Sequence, residues 1–279
     1  MTDSVALRNP DPIYQHEFLY VGDESFCQTE RKLIGLGNRR FGQDKLTAPD
    51  LRINSDGFRS DEFKKNHDKK HILFSGCSVT YGIGLLENEI WAKKLYNRLN
   101  IKNDLSGFFN LGMPGTSIFD IIANIFRYIH NFNKPDTIFI AIPNYQRRYV
   151  SNPKTSNIKD EIANQKNKIF HGVYKDNTRD EFSDTLHIYA YHYLMFLEMF
   201  CKSNNINLFY FCYKPDYVKM ELDRLFEIDI EDFKNKLTQF SIDNPSNKYA
   251  LYARDNSHFG EAYHSYWADF CYKISQEEN

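Results

Sequence analysis

"FSGCSVTYGIG", residues 74–84, lies between an apolar run, HILF (71–74), and a helix-like run, ENEIWAKKLYNRL (87–99). Its three glycines, two serines, cysteine and threonine suit a tight turn between a strand and a helix. Ser78 in such a turn is either a nucleophile held beyond a strand end or an ordinary residue of a Gly-rich loop.

The same alternation continues outward. "GFFNLG" (107–112), "DTIFIAIP" (136–143) and "INLFYFCY" (206–213) read as further strands. The apolar run of 136–143 is unbroken, as expected of a central strand covered on both faces. Residues 116–132 place Ile118, Ile121, Ile122, Ile125 and Ile129 on one helical face. Residues 184–205 form a long helix, a helix is expected near 229–240, and a last one runs from about 260 to 274. Strand alternating with helix predicts an α/β domain with a parallel central sheet. Residues 1–66 are expected to form an N-terminal arm, and 67–279 the main domain. The polar stretches 144–182 and 214–254 read as insertions.

Composition narrows the function. Lys and Arg total 35 against 37 Asp and Glu, so no basic excess points to nucleic acid or to an anionic membrane. The five cysteines are odd in number and lack CxxC spacing, so neither a disulfide framework nor a zinc site is expected. No basic-then-apolar leader is visible at the N-terminus, and the reading favours the cytoplasm. No apolar stretch approaches the ~18 residues of a membrane span. No metal motif is found, and no metal or other cofactor is expected. Oligomeric state is left open.

In a parallel sheet the active site lies beyond the carboxyl ends of the strands. Four stretches should meet there: Gly76 to Gly82, Asn110 to Ser117, Pro143-Asn144-Tyr145, and Asp255-Asn256-Ser257-His258. A serine hydroxyl attacks only when a base takes its proton. His258 can be that base, and Asp255 can fix its tautomer. At a helix start their three-residue spacing would bring both side chains to one side. The oxyanion would be met by Ser78 N–H and Gly115 N–H, each opening a helix, and by the Asn144 side-chain amide. Arg147 and Arg148 are either a substrate-anion contact or a solvated pair. Gly115 can also be read as a simple turn glycine, and Asn144 as a loop residue.

These blocks resemble those of the SGNH hydrolases, the GDSL-type esterases and lipases. Gly76-x-Ser78-x-Thr80-x-Gly82 is similar to the family's first block, Asn110 to Gly115 to its second, and Asp255-x-x-His258 to its last. The third block is matched at Asn144 alone. "INSDGFR" (53–59) resembles the N-terminal arm of larger members. The resemblance implies a three-layer, flavodoxin-like fold and a serine esterase acting on a small acyl ester, O-acetyl foremost, on a carbohydrate. Cys77 stands where the family usually has Asp, so the turn needs another support. A non-catalytic binding or structural module and an O-acyltransferase remain alternatives.

Overall fold

A computed structural model describes residues 53–65, 68–143, 182–212, 225–226, 228–254 and 258–277. Five strands, β1 (Ile72–Gly76), β2 (Phe109–Asn110), β3 (Thr137–Ile142), β4 (Asn207–Cys212) and β5 (Leu225–Phe226), form one sheet in the order β2-β1-β3-β4-β5. Every neighbouring pair is parallel. This is the flavodoxin-like order, with its switch point between β1 and β3. Ligands of such sheets gather where the chain leaves these two strands in opposite directions.

The helices are α1 (Ser78–Tyr81), α2 (Trp91–Asn103), α3 (Ile118–Asn131), α4 (Phe182–Ser203), α5 (Ile230–Asp243) and α6 (Glu261–Glu277). Strand side chains alternate between two cores. Ile138, Ile140 and Ile142 of β3 face α3 and α4 together with Leu73, Leu208 and Tyr210. Phe139 and Ala141 face α2 and α6 together with Ile72, Phe74, Phe209 and Phe211. Helices therefore cover both faces, giving three layers. On the second face Phe74, Phe139 and Phe209 stand opposite one another in register. Their rings stack at centroid separations of 5.8 and 5.0 Å.

The expected helix over 87–99 is interrupted. A 3₁₀ turn spans Glu87–Glu89, Ile90 is extended, and α2 starts at Trp91. The expected strand over 107–112 shrinks to two residues. Its outer edge is covered by residues 60–61: Asp61 N–H donates to Phe108 O at 2.9 Å, and Asn110 N–H donates to Ser60 Oγ at 3.1 Å. Covering an edge strand in this way removes a template for unwanted pairing. The stretch 214–254 carries the helix expected near 229–240, α5, whose first amides are capped by the Asp229 carboxylate, and also the fifth strand, which was not expected. The insertion expected over 144–182 falls almost wholly outside the described residues; only Phe182, the first residue of α4, is described.

Candidate active site

β1 ends at Gly76, Cys77 is extended, and Ser78 opens the one-turn helix α1. The first amides of a helix lack intrahelical partners, and Ser78 N–H has no acceptor among the described residues. A single turn ended by Gly82 in the left-handed region has little macrodipole, so the amide itself is the donor. Ser78 is 4% exposed, and its hydroxyl makes only a weak contact with Cys77 Sγ at 3.9 Å. Cys77 lies in the apolar core beside α2 and provides no capping hydrogen bond.

The loop after β2 folds against the end of β1. Met113 N–H and Thr116 Oγ1 both donate to Gly76 O at 3.2 Å. Asn110 ties this loop to α1: its Nδ2 donates to Thr80 O at 3.0 Å and its Oδ1 accepts from Gly112 N–H at 2.8 Å. Position 112 admits no side chain, because an added Cβ would lie 2.5 Å from Tyr81 N and 2.7 Å from Thr80 C. Gly115 does not open a helix, contrary to expectation. It precedes α3 by three residues with φ 75°, and the helix is capped instead by Ser117 and Asp120 in a capping box. Gly115 is partly exposed, and its N–H has no acceptor among the described residues. Two donor amides thus sit on adjoining loops at the carboxyl ends of β1 and β2.

His258 is partly exposed and lies outside α6, which begins at Glu261. The expected one-turn geometry of the Asp255–His258 pair therefore does not apply at His258. Its loop is closed by an antiparallel bridge between Tyr252 and Phe259 and by Ala253 N–H donating to His258 O at 3.0 Å. Arg254 N–H donates to Gly84 O at 3.0 Å, and the Arg254 side chain pairs with Glu89. The His258 loop is thereby fixed to the segment that follows α1. Asp255, Asn144, Arg147 and Arg148 lie outside the described residues.

Two further residues organise this region. Arg59 is fully buried, and its guanidinium donates to Tyr81 O, Gly82 O and Leu85 O at 3.4, 2.8 and 2.8 Å. The only hint of it in the sequence is the "SDGFR" turn itself. His264 on α6 is also buried, and its Nδ1 accepts from Trp91 N–H, an orphan donor at the start of α2, at 3.0 Å. Burial, then the charges of Lys94, His258 and Arg59, hold the His264 imidazolium form well below its ordinary range. A cavity of about 560 Å³ lies elsewhere, beside β5 and between α5 and α6, lined among others by Asp229, Asp232 and Tyr266.

No family model and no curated protein matches the chain. Among solved structures, the chain is similar to a psychrotrophic esterase, EstA, from Pseudoalteromonas sp. at 14% identity and TM-score 0.42, covering 74% of this chain and 96% of that one. It is similar to a GDSL-like lipase from Bacteroides thetaiotaomicron at 15% identity and TM-score 0.35, over 75% and 89% of the two chains. An acetyl xylan esterase, AlAXEase, superposes at 14% identity and TM-score 0.39, over 73% and 98%.

Proposed function

We propose that the chain is a serine esterase that removes a small acyl group, O-acetyl foremost, from an alcohol such as a carbohydrate hydroxyl. Ser78 Oγ attacks the ester carbonyl while His258 takes its proton. The carbonyl π electrons move to oxygen, and Ser78 N–H, Gly115 N–H and the Asn144 amide receive the oxyanion. Collapse of the tetrahedral intermediate breaks the bond to the alkoxy oxygen, which leaves as the alcohol with the proton from His258. Water, deprotonated by His258, then cleaves the acyl-enzyme to release the acid. Asp255 orients the imidazole, and Arg147 and Arg148 contact the substrate at the rim.

The observation that carries this reading is that Ser78 N–H and Gly115 N–H, which have no acceptor among the described residues, lie on adjoining loops at the carboxyl ends of β1 and β2 in a parallel sheet. Turnover of 4-nitrophenyl acetate by the wild type and by Ser78→Ala tests it. The variant should fold and lose at least about three orders of magnitude in kcat. Equal turnover by the two proteins removes Ser78 from the mechanism.

A further inference from the structure

A buried cation with no carboxylate partner among the described residues sits directly behind the nucleophile turn. Arg59 has no ion-pair partner among the described residues, and its Nε has no acceptor there. Leaving a charge in the interior unpaired is costly unless hydrogen bonds offset it. Here the offset comes from three backbone carbonyls, all belonging to the last residue of α1, its C-cap Gly82, and the loop that follows. The guanidinium lies at 5.8 Å over the Tyr81 ring, which adds a fourth contact to the same turn.

The origin of this side chain is equally constrained. Asn54 Oδ1 accepts from Asp56 N–H at 3.1 Å and Phe58 N–H at 2.9 Å, and Asn54 N–H donates to Phe58 O at 2.8 Å. Gly57 takes φ 85° to close the loop. Phe58 and Phe63 then bury into the core beside α3. Arg59 is delivered from a turn anchored on one face of the sheet to the end of α1, which follows β1.

We propose that Arg59 is the positioning residue of the Ser78 turn. It holds α1 from its carboxyl end, so that the Ser78 hydroxyl and N–H at the other end keep the alignment an acyl transfer requires. A four-residue turn is only ~6 Å long, so a shift at Tyr81 and Gly82 is passed to Ser78 almost undiminished. The planar fork suits this task, because one guanidinium spans carbonyls three residues apart, whereas an ammonium is a point donor. The proposal rests on the esterase reading for its effect on turnover, but its structural arm does not.

Arg59→Met and Arg59→Lys are compared with the wild type by amide hydrogen exchange and by 4-nitrophenyl acetate kinetics. The exchange arm reads Gly82, Ile83 and Leu85, whose amides donate to Ser78 O and Gly82 O. In Arg59→Met these amides should exchange at least about tenfold faster, with those of β3 unchanged. Its kcat should fall about 10- to 100-fold, the cost of a misplaced reacting group, while KM stays within about twofold. Arg59→Lys should lie between the two proteins, and it carries the test alone if Arg59→Met does not fold. Unchanged exchange at these three amides in a folded variant, or wild-type kcat, overturns the proposal. A wild type that neither turns over the ester nor is labelled at Ser78 by a fluorophosphonate defeats the esterase reading instead, and the exchange result then decides Arg59's structural role by itself.

Discussion

Arg254 and Glu89 meet through two hydrogen bonds, Nη1 to Oε2 at 2.5 Å and Nη2 to Oε1 at 2.9 Å, with both side chains largely buried. The residues are 165 positions apart, so this pair joins the His258 loop to the 3₁₀ turn after α1. Glu89 also accepts from Leu86 N–H at 2.7 Å, which closes that turn on itself.

Removing one member of the pair takes the opposite charge away from a largely buried partner. Glu89→Ala should cost about 3–5 kcal/mol of stability, read by urea denaturation. Glu89→Ala combined with Arg254→Met should be less destabilised than the sum of the single variants, because both charges are then absent. Additive losses would show that the two side chains act independently.

The acid–base assignment makes its own prediction. Loss of the general base should leave His258→Ala with kcat/KM for 4-nitrophenyl acetate at least about two orders of magnitude below the wild type. Asp255→Asn should lower kcat by about four orders of magnitude, as loss of the orienting carboxylate does in a serine triad. Full activity in Asp255→Asn would remove Asp255 from the mechanism.

At position 112 the prediction is steric. A methyl group there meets the backbone of Thr80 and Tyr81, which cannot swing aside as a side-chain tip can. Gly112→Ala should cost about 1–3 kcal/mol by overpacking. It should also reduce turnover, because α1 is pushed away from the loop carrying Gly115. Thermal unfolding and ester kinetics measured on the same preparation check both parts.

His264 predicts an acid sensitivity. It stays neutral when folded, whereas in the unfolded chain it titrates near the ordinary value of about 6.5. Below that pH the unfolded state binds the extra proton, so stability is lost as pH falls toward the depressed folded value and is constant above. This group contributes a slope of at most about 1.4 kcal/mol per pH unit. His264→Asn keeps an acceptor for Trp91 N–H without the titration. The difference between wild type and variant should therefore narrow from pH 7 to 5. A constant difference would mean that His264 binds its proton equally well in the folded and unfolded chain.

Much of this architecture is legible in the sequence for a definite reason. β1, β3 and β4 are covered on both faces, so each reads as an unbroken apolar run. β2 is shorter than its expected span of 107–112, and β5 is not legible at all, because "LF" at 225–226 has no period to detect. The turn carrying Ser78 and the loop carrying Gly115 were legible as the stretches that follow β1 and β2. The last helix begins at Glu261, close to its expected start near 260, and His258 precedes it beside the Tyr252–Phe259 bridge. Arg59 was hidden because its role depends on carbonyls 22 to 26 residues away.

The stacked phenylalanines bear on how the strands choose their alignment. In a sheet buried on both sides, sliding one strand by two residues preserves which side chains face which layer. Burial alone therefore discriminates weakly among such slipped pairings. Sliding β3 by two places along β1 would set Thr137 or Ala141 opposite Phe74 in place of Phe139, forfeiting an aromatic contact of about 0.5–1.5 kcal/mol beyond its buried area. Phe139 stacks on both sides, so its alignment with β1 and its alignment with β4 are chosen together. The ring column thus acts as a vernier for the sheet, and it sets which loops arrive side by side at the strand ends.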